Sequence, residues 1–137
     1  LLKPVSKGVY FIGEKPVDEE LIFDEYVDDG KGMFVGYQLF NDVGISNYVD
    51  CKIEIYTNNI KSKQKSVGQY FLKKVDLEFD DDTVDLVALL EIIDTGYSMK
   101  GCDFMAYKKT VDILLKSYSD SSFEKIVKAK YITSILL

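Results

Sequence analysis

In the first half of the chain apolar and polar residues tend to alternate, and in the second half apolar residues recur every third or fourth position. The first period belongs to strands and the second to helices. Val9-Tyr10-Phe11-Ile12, closed by Gly13, reads as a short buried strand. Residues 18–28 fit two descriptions: Leu21, Phe23 and Tyr26 suit a strand, while Leu21, Ile22 and Glu25 suit one helical turn. Asp28-Asp29-Gly30-Lys31-Gly32 is a turn, because Asp and Gly tolerate positive φ. Met33 to Phe40 then predicts a strand, which makes a hairpin of 21–28 and 33–40. Asn41-Asp42-Val43-Gly44 is the next turn. Over Tyr48 to Tyr56, Cys51, Ile53 and Ile55 predict a core face, and Asp50, Lys52, Glu54 and Tyr56 a wet one. Asn58-Asn59 opens a polar loop carrying Lys61, Lys63 and Lys65. Strand patterning resumes over Val67 to Phe79, where Val75, Leu77 and Phe79 alternate with Lys74, Asp76, Glu78 and Asp80.

Past this point the period changes. Asp82 is placed to cap a helix in which Leu86, Leu89, Leu90 and Ile93 share a face, with Gly96 as its stop. A buried strand over 84–93 is the alternative, since Val84, Val87 and Ile92 are apolar too. From Asp103, residues Phe104, Tyr107, Val111, Leu114 and Leu115 follow helical spacing. Ser121 to Glu124 forms a capping box that opens a third helix, with Phe123, Val127, Tyr131 and Ile135 as its apolar stripe. Strands followed by helices imply an α+β fold. The expected architecture is a mainly antiparallel sheet of four or five strands in the N-terminal half, covered on one face by two or three C-terminal helices. Residues 1–137 read as a single globular domain, with no repeat, low-complexity tract or linker.

Composition is informative mainly through absences. The chain has no His and no Trp, and its 17 basic residues are all Lys. Without His it lacks the usual proton shuttle near neutral pH and the commonest transition-metal ligand. Without Arg it lacks the planar fork for phosphate and carboxylate. These absences weaken the case for catalysis, and no catalytic residue, metal or cofactor is assigned. A net charge of −6 argues against direct nucleic-acid binding, which needs cations on phosphate. No apolar run approaches the length of a membrane span, so no membrane partner is expected. The expected location is the cytoplasm, although a leader removed ahead of Leu1 stays open.

The charge is unevenly placed. Residues 14–29 hold eight acids (Glu14, Asp18, Glu19, Glu20, Asp24, Glu25, Asp28, Asp29) against Lys15. Residues 76–94 hold eight more (Asp76, Glu78, Asp80, Asp81, Asp82, Asp85, Glu91, Asp94) and no Lys, whereas 61–74 hold five Lys and no acid. If the two acidic segments converge, they form a face that attracts a basic partner. If they do not, they are a solvated strand edge and a helix N-terminus, where acids are locally favourable. Asp80-Asp81-Asp82 does not have the spacing of a calcium loop. Cys102 lies near a helix start, where a thiolate is stabilised, but no His can act as its base. Cys51 and Cys102 are expected to be buried free thiols, with a disulfide left open. Gly30-Lys31-Gly32 lacks the spacing of a phosphate loop. The ten tyrosines suit either core or interface, Tyr37, Tyr48, Tyr56 and Tyr97 among them.

The leading expectation is a non-enzymatic protein-binding protein, more sharply an immunity-like or anti-defence inhibitor that neutralises a basic toxin or nuclease. The expected contacts are Asp18, Glu19, Glu20, Asp76, Glu78, Asp80 and Asp81. The alternative is a structural or assembly subunit that self-associates through strand edges and Tyr. A small hydrolase comes third.

Overall fold

The computed structural model describes residues 17–128. Its elements, in chain order, are α1 (Glu19–Tyr26), β1 (Gly32–Val35), α2 (Gly36–Asp42), β2 (Ile53–Thr57), β3 (Gln64–Val67), β4 (Tyr70–Lys74), α3 (Asp81–Thr95), α4 (Phe104–Leu115) and α5 (Asp120–Lys128). The fold is α+β, built on a four-stranded mixed sheet of order β1-β2-β4-β3. β1 pairs antiparallel with β2, and β3 with β4, while β2 and β4 run parallel. The chain leaves β2, crosses the end of β4, descends β3 and returns through a two-residue turn, Gly68-Gln69. Gly68 takes φ +58° there, which a side chain would resist.

Both faces of the sheet are covered. Phe34, Ile53, Ile55, Tyr70 and Leu72 share one face with Ile22 and Tyr26 of α1. Met33, Val35 and Tyr56 point the other way, into a larger core with Leu39, Phe40, Val75, Leu77, Phe79, Leu86, Leu89, Ile92 and Ile126. Thus Tyr56, expected in water, is buried at 6 % exposure. Alternation misleads where a second layer covers the polar-looking face.

Several elements depart from the expectations. Within residues 18–28, Glu19–Tyr26 are helical, because Ile22 and Tyr26 fall one turn apart on the sheet while Leu21 and Phe23 stay exposed. No hairpin joins 21–28 to 33–40. The strand ends at Val35, where Gly36 takes φ +66° and turns the chain into α2. Residues 48–52 are irregular, and Cys51 is exposed rather than buried. Cys102 is exposed and free as well. The predicted strand at Val9–Ile12, and Tyr131 and Ile135 of the predicted stripe, lie outside the described residues.

Residues 84–93 are helical within α3, which is capped by Asp80 instead of Asp82. The Asp80 carboxylate accepts from the Thr83 N–H at 2.9 Å, and the Thr83 hydroxyl reciprocates by accepting from the Asp80 N–H at 2.9 Å. α3 lies between the sheet and α4–α5, so its buried arc is wide: Leu86, Val87, Ala88, Leu89 and Ile92. Ile93, expected in the core, is 50 % exposed. Gly96 ends the helix at φ +48°, as expected. In α4, Tyr107, Val111 and Leu114 pack inward, whereas Phe104 and Leu115 do not. α5 starts at Asp120, where the Ser119 hydroxyl accepts from the Ser122 N–H at 3.1 Å, so the Ser121–Glu124 box does not form the cap. Its buried residues are Ser122 and Ile126, not Phe123 and Val127.

Candidate functional site

The acidic residues gather at the end of the sheet where the chain passes from β4 into α3. The turn after α1 has positive φ at both central residues, Asp29 (+62°) and Gly30 (+77°), and closes through the Lys31 N–H donating to the Asp28 carbonyl at 3.3 Å. The Gly30 carbonyl accepts from the Phe79 N–H at 3.1 Å. A Cβ at Gly30 would meet the Glu78 side chain at 3.7 Å, so the turn rests on the 76–80 segment. Asn58, just past β2, fastens the two together: its side-chain amide donates to the Gly30 carbonyl at 3.2 Å and to the Leu77 carbonyl at 2.7 Å.

Leu77 and Phe79 anchor this segment in the core, so Asp76 and Glu78 must face water. Asp81 and Asp82 occupy the first turn of α3, where the helix dipole favours them. Asp28, Asp29, Glu78, Asp81 and Asp82 are all exposed, and none is in an ion pair among the described residues. Asp76 approaches Lys74 only at 3.9 Å. An open hollow of about 350 Å³ adjoins them, lined by Asp76, Leu77, Glu78, Lys125 and Lys128.

The seven expected contacts divide into two groups. Asp76, Glu78, Asp80 and Asp81 are brought together. Among them Asp80 is committed to structure: it caps α3 and accepts from Lys125 Nζ at 2.9 Å. The Thr83 backbone N–H, then the Lys125 ammonium, hold its carboxyl below the usual carboxylate range. Asp18, Glu19 and Glu20 stand at the start of α1, where Asp18 accepts from the Glu20 N–H at 2.9 Å as N-cap. Gln69, just before β4, donates from its side-chain amide to the Val17 carbonyl at 3.3 Å, so this group lies by the start of that strand. β4 is five residues long, and Asp76 comes after its other end. A strand of that length spans roughly 17 Å. The two groups therefore flank opposite ends of β4.

Sequence reasoning left Asp28, Asp29 and Asp82 out of the contact set, and it missed Asn58. The Asp-Asp-Gly turn was visible in the sequence, but its placement against 76–80 depends on the β1–β2 register, Gly32 opposite Thr57. Nothing local in the sequence marks Asn58 as the clamp.

Elsewhere, Cys102 sits exposed before α4, where it bridges to Ser46. Tyr37 and Tyr48 are half-buried with ring centroids 4.7 Å apart, and Lys100 Nζ lies 5.0 Å from the Tyr48 ring centroid. Tyr56 donates to a carboxylate oxygen of Glu91 at 2.8 Å. Among the described residues, no group of three or more Cys, Asp or Glu side chains is placed to hold a metal ion. Also among them, no helix is long and apolar enough to cross a membrane. No protein-family model, curated protein or solved structure matches the chain.

Proposed function

We propose that this is a non-enzymatic binding protein that docks its acidic end onto a basic protein, as an inhibitor of a cationic toxin or nuclease site would. The observation that carries this reading is the joining of the Asp28-Asp29 turn to Glu78, Asp81 and Asp82 by the Phe79–Gly30 hydrogen bond and the Asn58 clamp. Five carboxylates without ion-pair partners among the described residues project from two fixed backbone segments. Lys125 and Lys128 adjoin this group but the acids outnumber them, and a predominantly negative field steers an oppositely charged partner and disfavours like-charged ones. The contact set is accordingly Asp28, Asp29, Asp76, Glu78, Asp81 and Asp82. Asp80 acts as support, and Asp18, Glu19 and Glu20 would serve only a partner broad enough to span both groups.

The test is affinity capture from the source cell at low salt, run in parallel with the chain and with an Asp28→Lys/Glu78→Lys/Asp81→Lys variant. A basic protein held by the first bait, absent from the second and released by salt is the expected result. On-rates measured with that protein should drop about tenfold or more in the variant. A partner retained equally by both baits sinks the reading.

The alternative, assembly through strand edges, draws support from β3, an edge strand whose Gln64, Lys65 and Ser66 are all exposed. Lysines on an edge oppose that pairing, however, and Lys61, Lys63 and Lys65 surround this one. Gln64→Pro would abolish association of this kind.

A further inference from the structure

The hollow beside the acidic end is lined from two parts of the chain: Asp76, Leu77 and Glu78 follow β4, and Lys125 and Lys128 belong to α5. The two lysines are three residues apart and so share one side of their helix. That helix is fixed by Ser122 and Ile126, both buried. Lys125 Nζ meets Asp80 Oδ2 at 2.9 Å, with the two side chains 52 % and 42 % exposed. Asp80 first, then Glu78 and Asp82, raise the pKa of this ammonium, so one cation of α5 sits in the field of three carboxylates. An ion pair so exposed holds weakly. The flexible four-carbon stem of lysine lets the charge swing out while the helix stays in place.

We infer that α5 carries a built-in competitor for the acidic end: in the free protein Lys125 and Lys128 take the place of a basic partner's cations, and they swing out when that partner docks. The inference rests on the acidic-end reading proposed above and adds its regulation. Docking is then an exchange of one cation for another. A single cation gains little from the exchange, because it must displace a lysine that is already tethered there. A partner that presents several cations on one surface engages the whole cluster at once. Affinity is lowered by the fraction of time the lysines hold the site, and discrimination against weakly basic proteins rises.

Decalysine is the probe, followed by fluorescence anisotropy in about 0.1 M salt, where exposed charges more than about 10 Å apart are screened. Lys125→Gln/Lys128→Gln should bind it about threefold to tenfold more tightly than the parent, since an exposed pair is worth up to about fivefold in an equilibrium constant. Lys108→Gln/Lys109→Gln makes the same change of net charge on α4, where the neighbouring Tyr107 hydroxyl reaches the Ile92 carbonyl near the far end of α3. This control should bind like the parent. A second measurement needs no variant. A zero-length carbodiimide cross-link of Lys125 to Asp80, located by mass spectrometry in the free chain, should vanish at saturating decalysine, with peptide amines on those carboxylates instead. Equal binding by parent and Lys125→Gln/Lys128→Gln, equal tightening by the control, or a cross-link that survives saturation overturns the inference and leaves the acidic-end reading standing. Decalysine bound by none of the three proteins removes both.

Discussion

Asp80 serves as both helix cap and ion-pair partner with one carboxylate, and its titration should report both. Its folded-state pKa lies below the ordinary value, chiefly through the Thr83 N–H and then Lys125. The stability it contributes is therefore present above the usual carboxylate range and is lost as pH falls through it. Asp80→Ala should cost about 1 kcal/mol, the usual worth of an N-cap. Asp80→Asn keeps the cap, loses the ion pair and should flatten the acid limb of a urea-midpoint profile. Tyr56 carries the opposite sign. Burial, and then Glu91, raise its pKa far above 10.0, so the neutral hydroxyl is the form the fold accommodates. Its contribution should hold below pH 10 and decline above it as the unfolded chain ionises. Tyr56→Phe should remove that part of the alkaline loss, in the same assay extended to high pH. A third position is purely steric. A Cβ at Gly32 would run into the carbonyl oxygens of Tyr26 and Tyr56. Gly32→Ala should therefore destabilise by about 3 kcal/mol, at the upper end of overpacking costs.

The Asn58 clamp is where an element's position, not its existence, is decided. Asn58→Ala leaves the Gly30 and Leu77 carbonyls without its amide and should cost roughly 1–3 kcal/mol. Exchange of the Phe79 amide, which bonds to Gly30, should quicken in the same variant. This contact also marks the boundary of what the sequence discloses. α4 and the alternation at Val75, Leu77 and Phe79 were legible because each presents one face to one neighbour, whereas 84–93 read equally as helix or strand because α3, packed between the sheet and α4–α5, buries apolar residues over a wide arc. The Asp-Asp-Gly turn and the Gly96 stop were legible because their backbone angles demand those residues. β2 was only half legible, because Tyr56 and Ile55 are buried on opposite faces. α2 was hidden: Gly36 redirects the chain at a point where Tyr37, Leu39 and Phe40 still read as strand. α5 was found, but Phe123 and Val127 of its predicted stripe are exposed while Ser122 and Ile126 are buried, and one-face reasoning assigns every apolar stripe inward. Of the site, the acid-rich segments could be read, but not which of them meet, because that depends on sheet order.

At the scale of the molecule, charge and apolar exposure occupy separate places. The acidic end lies where β4 passes into α3, the Lys-bearing β3 forms one sheet edge, and the uncovered stripe lies on α4–α5. A chain of net charge −6 that holds close together carboxylates with no ion pair among the described residues works against its own compactness. Raising salt should therefore increase thermal stability over the range in which exposed charges become screened. Neutralising the cluster by Asp28→Asn, Glu78→Gln and Asp82→Asn should do the same at low salt, by a few tenths of a kcal/mol up to about 1, with much of the salt effect gone. This outcome separates two meanings of the acids. Acids kept for binding hold the free protein below its attainable stability, so removing them raises the melting temperature and lowers the on-rate for a basic partner together. Acids kept as the solvated start of α3 support that helix through its dipole, so removing them lowers the melting temperature and leaves association unchanged. A melt and an on-rate on the same variant thus decide between a docking face and a helix terminus.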